Sequence, residues 1–153
     1  MTCEVRLGRI IGLPAVCGEK VVGHVERAIP DAAGGRLQGL VIRRGLGSAK
    51  WADQSTISVL GDVSVILDAR PVRLPRGEGM ALGAVKDESG LTLGRVTDLW
   101  VCPDSFAITA LEITLGPVED LRIGRRTVRR WTLHPGADGP QVVIPREEWE
   151  GGS

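Results

Sequence analysis

The sequence has no tyrosine, one phenylalanine and four tryptophans among its 153 residues. With so few aromatic side chains, a hydrophobic core has to be built mainly from valine, leucine and isoleucine. Residues branched at Cβ favour strands, because their stiff side chains pack well on a pleated surface. The 21 glycines and 9 prolines favour many short strands and turns over long helices. The composition therefore predicts an all-β protein.

Cysteine is also scarce, since the chain has only Cys3, Cys17 and Cys102. An odd number without a C-x-x-C pair argues against a disulfide scaffold or a cysteine-rich zinc site. Free cysteines are typical of the reducing cytosol. No run approaches the roughly 18 apolar residues of a membrane span, and the first six residues lack the apolar stretch of a signal peptide. We therefore expect a cytoplasmic protein with no membrane span.

An excess of either charge is absent, because 19 basic residues balance 19 acidic ones. The part up to Pro75 has ten basic and seven acidic residues, and the rest has nine and twelve. Neither part has the strong basic excess of a protein that wraps DNA. A local basic patch remains compatible with this balance.

The clearest positive signal is an internal repeat. Sliding the chain by 71 positions aligns glycines and apolar residues over a long ungapped stretch. The aligned pairs are Gly12 and Gly83, Gly23 and Gly94, Val25 and Val96, Leu40 and Leu111, Ile42 and Ile113, Gly45 and Gly116, Thr56 and Thr127, and Ile57 and Val128. The chain is therefore predicted to be duplicated, with one domain at residues 1–75 and a second at 76–153.

Each copy has the same predicted order of elements. A strand with a leading glycine precedes a turn and a second apolar strand, which together form a hairpin. The predicted strands are residues 22–29 and 37–42 in the first copy, and 93–100 and 107–113 in the second. About five short strands in about 70 residues leave exposed edges, and closure into a small barrel removes them.

The ends of the two copies differ. In the first, residues 55–60 and 63–67 flank Gly61-Asp62, a strong signal for a tight hairpin. The second copy lacks Gly-Asp and has a longer turn before a last strand at residues 142–144. One helical turn is predicted at residues 146–149, and residues 70–79 are interpreted as the linker between the copies.

These residues resemble the PRC-barrel domain. The resemblance rests on Gly23-His24-Val25, on Leu40-Val41-Ile42, and on Ile57 before Leu60-Gly61-Asp62-Val63-Ser64-Val65. It covers most of residues 3–75 and, in the second copy, residues 82–116. It implies two tandem small β-barrels of the type found in the photosynthetic reaction-centre H subunit and in a 16S rRNA maturation factor. In the best understood members the barrel acts through protein contacts, and the family shares no catalytic residues.

Residues for catalysis or metal binding are sparse. His24 and His134 are the only histidines. A zinc site needs three or four ligands at suitable spacing, and these two isolated histidines with scattered cysteines do not supply them. Gly45-Leu46-Gly47-Ser48 is glycine-rich, but Lys50 does not complete a phosphate-binding loop or a dinucleotide fingerprint. We therefore expect no enzyme activity, no metal and no cofactor.

Five arginines form the densest cluster of one charge. They are Arg122, Arg125, Arg126, Arg129 and Arg130. On a helix this spacing would place all five on one face, which could bind phosphates with strong salt dependence. However, Gly124, Thr127 and Val128 are poor helix formers. The alternative is a strand and turn that scatter the arginines, some paired with the nearby Glu119 and Asp120.

Three functions follow from these features. The leading one is a non-enzymatic protein-binding adaptor or assembly module that could also self-associate, with Trp149 as an interface residue, because tryptophan is enriched at binding hot spots. The second is an RNA- or ribosome-associated maturation factor that uses the five arginines. The third is an enzyme or small-ligand carrier with its site between the two barrels, marked by His24 or His134 beside a carboxylate.

Overall fold

The structure is a computed structural model that describes residues 4–31, 35–75, 84–134 and 141–147. The chain begins with β1 (Val5–Arg6) and α1 (Leu7–Ile10). The first sheet follows with β2 (Pro14–Cys17), β3 (Lys20–Pro30), β4 (Leu37–Arg43), β5 (Lys50–Asp53), a 3-10 turn (Gln54–Thr56), β6 (Ile57–Leu60), β7 (Val65–Leu67) and β8 (Val72–Arg73). The second sheet contains β9 (Ala84–Asp87), β10 (Thr92–Val101), β11 (Ile108–Thr114), β12 (Arg126–Val128), β13 (Thr132–His134) and β14 (Gln141–Ile144), with α2 (Pro117–Ile123) before β12.

The two sheets have the same strand order. The first runs β6-β7-β2-β3-β4-β5-β8, and the second runs β13-β14-β9-β10-β11-β12, with β1 added beside β10. In each, the last hairpin returns so that its second strand pairs in parallel with the first strand of the copy. The all-β class is therefore confirmed. Within the described residues the two ends of each sheet are not paired with each other, and closure into a full barrel stays a prediction.

The irregularities of the long strands also match between the copies. β3 is bulged at Glu26, between Val25 and Arg27, and β10 is bulged at the equivalent Thr97. Further register shifts occur after Ile29 in β3 and after Trp100 in β10. A bulge bends a strand and increases its twist. The equal positions of these bulges are expected of a duplicated chain.

Gly23 and Gly94 mark equivalent close approaches of two strands. A Cβ on Gly23 would lie 2.7 Å from Ile42 Cγ2 and 2.9 Å from the Arg43 carbonyl oxygen. A Cβ on Gly94 would clash with the carbonyl oxygen of Thr114, the residue equivalent to Arg43. Glycine is required at both places because the neighbouring backbone leaves no room for a side chain.

The ungapped alignment of the repeats holds over β3 and β4 and fails on both sides of them. Ala15 pairs with Gly23 and Val85 with the equivalent Gly94, so β2 and β9 differ by 70 positions and not 71.

A larger difference follows Gly116. Val41 pairs with Trp51 in the first sheet, and the equivalent Glu112 pairs with Thr127 in the second. Thr127 therefore corresponds to Trp51, and the sequence-based pairing of Thr127 with Thr56 was wrong. The reason is α2, which the first copy lacks and which displaces β12 by five positions relative to β5.

The predicted hairpins are confirmed, with one addition. In the first copy the Gly61 N–H donates to the Ser64 carbonyl oxygen (3.0 Å), which closes the turn between β6 and β7. In the second copy, which lacks Gly-Asp, the sequence did not determine how the last strands pair. In the structure β13 and β14 form an antiparallel pair. The predicted linker is in part a strand, because β8 pairs with β5. Arg146 and Glu147 are helical, and the rest of that predicted turn, with Trp149, lies outside the described residues.

One hydrophobic core runs through both sheets. It contains fully buried side chains from every long strand, including Leu40, Ile42, Leu111, Ile113 and Ile144. A second, smaller cluster lies on the other face of the first sheet and consists of Ile29, Val41 and Trp51, with Leu74 packed on it. No helix in the described part of the chain is long and apolar enough to cross a membrane.

We predict that Gly94→Ala and Gly23→Ala each lower the free energy of unfolding by about 1–3 kcal/mol, the usual cost of overpacking. Gly35→Ala is the matched control, because a Cβ there meets no atom within 4 Å. Chemical denaturation of the three variants measures the effect. Equal stability of Gly94→Ala and Gly35→Ala would contradict the close approach of β10 to β11.

Candidate binding cleft between the repeats

The two repeats pair with each other at equivalent residues. Arg36 forms an antiparallel bridge with Ala107, its counterpart 71 positions later. The Leu37 N–H donates to the Phe106 carbonyl oxygen (2.8 Å), and the Ile108 N–H donates to the Gly35 carbonyl oxygen (2.9 Å). Each bond is the image of the other under the same offset of 71. The repeats are therefore related by a local two-fold axis, as in an isologous dimer interface.

A cleft of about 310 Å³ lies between the repeats. Residues 26–30 of β3 line one side and residues 96–99 of β10 line the other, with Leu7, Gly8 and Ile11 at one end. Side chains of consecutive strand residues point to opposite faces of a sheet. A cavity lined by five consecutive residues therefore runs along the edge of the strand. The cleft is the space between the facing edges of two equivalent strands.

The N-terminal segment fills part of the β10 edge. β9 pairs with β10 only at residues 92–95. Farther along, β1 pairs antiparallel with β10, placing Val5 opposite Val101 and Arg6 opposite Trp100. At these two residues β11 occupies the other side of β10, so β1 continues the side on which β9 lies. The N-terminal strand therefore belongs to the second sheet, although the sequence placed it in the first domain.

The equivalent edge of β3 is open. β2 pairs with β3 only as far as His24, and Val25 exchanges hydrogen bonds with Gly12 and Leu13 (2.7 and 2.9 Å). Beyond Val25, no strand of residues 4–31, 35–75, 84–134 or 141–147 lies on this side of β3. At Trp100 and Val101 the edge of β10 is thus covered by β1, whereas no strand of the described residues pairs with the equivalent Ile29 and Pro30 on this side. The preceding residues of both edges border the cleft.

A network of charged groups fixes the N-terminal segment. The Arg6 Nε–H donates to an oxygen of Asp98 (2.6 Å), and another Arg6 nitrogen donates to Glu112. The Arg6 guanidinium also lies over the Trp100 ring, 5.2 Å from its centroid, in a favourable cation–π position. The hydrogen bond to Asp98 first of all, and then the negative charge of Glu112, raise the pKa of Arg6 above its ordinary range.

Glu112 is the centre of this network. Its side chain is buried, and it accepts hydrogen bonds from Arg6, from Arg125 (3.0 Å) and from the Thr97 hydroxyl (3.1 Å). A buried carboxylate is tolerated only when such partners compensate the loss of water. The first repeat has Val41 at this position, so a comparison of the repeats could have revealed a charge where the other copy is apolar.

The five arginines do not form a helical stripe. Arg122 lies on α2 and is exposed, Arg125 follows the helix, and Arg126 begins β12. Arg125 bonds to Glu112 and lies 3.5 Å from Asp120. Arg129 pairs with Glu4 (2.6 Å), and Arg130 follows it outside β12. The scattered arrangement is therefore the one observed, and binding of an anionic partner by these residues stays a prediction.

The two histidines and the three tryptophans of the described residues lie away from the cleft lining. His24 and His134 are both exposed, and His134 Nε2 is 3.1 Å from the Thr132 hydroxyl. The described residues contain no group of three or more potential metal ligands. Trp51 is buried in the small cluster behind β4, Trp131 packs against the main core, and Trp100 is half-buried beneath Arg6.

No protein-family model matches the chain, and no curated protein matches it either. The similarity to the PRC-barrel domain therefore remains a prediction from the residues that carry it.

We predict that Arg6→Ala loosens the N-terminal segment, because the variant loses the contacts to Asp98, Glu112 and Trp100. The Gly8 N–H, which donates to Asp98 (3.0 Å), should exchange with solvent several-fold faster, as expected for a locally opened segment. Arg9→Ala, in the same segment, is the matched control. Hydrogen exchange followed by NMR measures both, and equal rates at Gly8 would argue against the anchoring role of Arg6.

We also predict a specific effect of acid. The Thr114 hydroxyl donates to Asp120 and, with the Leu115 N–H and Arg125, holds the pKa of Asp120 below its ordinary value of 3.8. A carboxyl whose pKa is lowered by folding stabilises the protein above that ordinary value, and the contribution is lost as the pH falls through the folded pKa. Thr114→Val should destabilise the protein at pH 7, and the difference from the wild type should shrink as the pH falls below about 4.

The direct measurement is the pKa of Asp120 itself, followed by NMR of its carboxyl carbon. Thr114→Val should raise it, and Thr132→Val, an exposed threonine substitution elsewhere on the sheet, should leave it unchanged. An unaltered pKa in Thr114→Val would exclude the hydroxyl as the main cause of the shift.

Proposed function

We propose that the protein is a non-catalytic protein-binding module that takes up an extended segment of another polypeptide beside β3. The observation that carries the proposal is the pair of equivalent strand edges. The edge of β10 is paired with β1 from the chain's own N-terminus, and the same edge of β3 borders the cleft. The molecule thus already contains one example of the interaction that we propose.

The open edge has the properties that strand addition needs. An unpaired edge presents a row of backbone N–H and carbonyl groups, which an added strand can bond. The cleft also offers apolar contacts from Ile11, which is exposed, and Ala28, which is half-buried. Its volume lies at the lower end of the roughly 300–1,000 Å³ range of ligand sites. Backbone bonding would supply the affinity, and these side chains would supply selectivity.

The resemblance to the PRC-barrel domain supports the same function, because the best understood members act through protein contacts. The free Cys17 and Cys102 support a cytoplasmic location for this binding. The alternative of an RNA- or ribosome-associated factor is less well supported. Glu112 and Glu4 already pair with Arg125 and Arg129, which reduces the positive charge available to a phosphate backbone.

A random peptide library displayed against the full chain tests the proposal. We expect enrichment of extended peptides with alternating apolar residues, which on binding slow amide exchange in residues 26–29. Ile11→Asp should weaken them by about tenfold, the equivalent of roughly 1.4 kcal/mol, because Ile11 is partly exposed at the end of the cleft. Leu91→Asp, at an exposed leucine that does not line the cleft, is the matched control.

Two results would count against the proposal. One is the absence of enriched peptides that protect residues 26–29. The other is equal loss of binding in Ile11→Asp and Leu91→Asp, which would place the peptides elsewhere on the surface.

A further inference from the structure

We infer that the cleft selects a segment with an acidic residue opposite Ile29, preceded by an apolar residue opposite Pro30. This inference rests on the proposed function, because it names the partner of the same site. It follows from comparing the occupied edge of β10 with the open edge of β3, residue by residue across the local two-fold axis.

The occupied edge shows which side chains of the second sheet contact a strand paired with β10. Arg6 of β1 lies opposite Trp100 and reaches Asp98, two residues earlier on the same face of β10. Glu112, paired with Asp98 on the neighbouring strand, adds a second carboxylate. An arginine in this place is therefore recognised by two negative charges, and a charge-assisted hydrogen bond is stronger than a neutral one.

The open edge has the opposite charge. Under the offset of 71, Arg27 takes the place of Asp98, and Val41 takes the place of Glu112. The Arg27 side chain is exposed and makes no hydrogen bond or ion pair with any other described residue. A strand bound here with an arginine would bring two cations together. A glutamate or aspartate would instead meet the guanidinium.

The neighbouring groups do not cancel this charge. Glu26 also lines the cleft, but it already pairs with Arg43 (3.1 Å). Asp98, on the opposite wall, is bonded to Arg6, to the Gly8 N–H (3.0 Å) and to the Leu99 N–H (2.8 Å). Arg27 is thus the cation on this edge to which a bound carboxylate can pair.

Pro30 limits how far an added strand can form backbone hydrogen bonds with β3. It corresponds to Val101, which lies opposite Val5 on the occupied edge. Pro30 is buried and has no N–H to donate, so the ladder of backbone bonds on this edge is short. The equivalent residue of β1 is the apolar Val5, so we expect an apolar residue opposite Pro30, and the side chain paired with Arg27 must then carry much of the selectivity.

Two synthetic peptides test the inference directly. The first has the sequence of residues 4–11 of this chain, and the second is identical apart from Arg6→Glu. Each is labelled and titrated with the full-length wild type, with Arg27→Asp and with Arg44→Asp, using fluorescence anisotropy. Arg44 is exposed in a turn outside the cleft, so this control makes the same change in net charge.

We expect the wild type to bind the glutamate peptide about threefold tighter than the arginine peptide, as an exposed ion pair allows. Arg27→Asp recreates the charge of Asp98 and should reverse the preference, whereas Arg44→Asp should keep it. The NMR signal of the Arg27 Nε–H should shift when the glutamate peptide binds to the wild type.

The outcomes separate the two proposals. If both peptides bind the wild type and Arg27→Asp with equal affinity, while amides in residues 26–29 are protected, the charge preference is overturned and the strand-binding function stands. If neither peptide binds any of the three proteins, the strand-binding function itself is contradicted, and the charge preference with it.

Discussion

Two backbone hydrogen bonds, one the image of the other, hold the repeats in register at residues 35–37 and 106–108. Because each repeat meets its own counterpart there, β3 and β10 are brought to face each other with their edges toward the same space. The same arrangement merges the interiors of the two sheets into one hydrophobic cluster. This one contact determines where the cleft lies. It also determines which strand edges face each other across the cleft, including the edge of β10 that β1 pairs with.

The chain has two equivalent edges but only one N-terminus. β1 and the residues of α1 can therefore cover β10 or β3, but not both. The charges decide which, since Arg6 matches Asp98 and Glu112 on β10 and would meet Arg27 on β3. Proteins usually protect the open edge of a sheet, and here Pro30 and the charge of Arg27 limit what can pair with it.

Much of the fold could be predicted from the sequence. The alternation in β3 and β10, the apolar β4 and β11, and the Gly61-Asp62 hairpin all depend on local patterns, and Gly23 and Gly94 reveal the repeat. What escaped prediction depends on distant contacts. Nothing in Val5 and Arg6 indicates pairing with residues about 95 positions away, and α2 was concealed because an ungapped comparison cannot reveal an insertion. Of the two arrangements that the sequence allowed for the five arginines, the helical stripe is not formed, because Gly124 ends α2 with a positive φ of 76°, after which the chain enters β12.

The covalent link between the repeats has a consequence for how such a surface can change. In an assembly of two identical chains, every substitution occurs twice, once on each side of the axis. Here Asp98 and Arg27, or Glu112 and Val41, occupy corresponding positions and can differ independently. A single chain can thus keep one half-site for its own architecture and adapt the other, which a strictly symmetric pair of subunits cannot do.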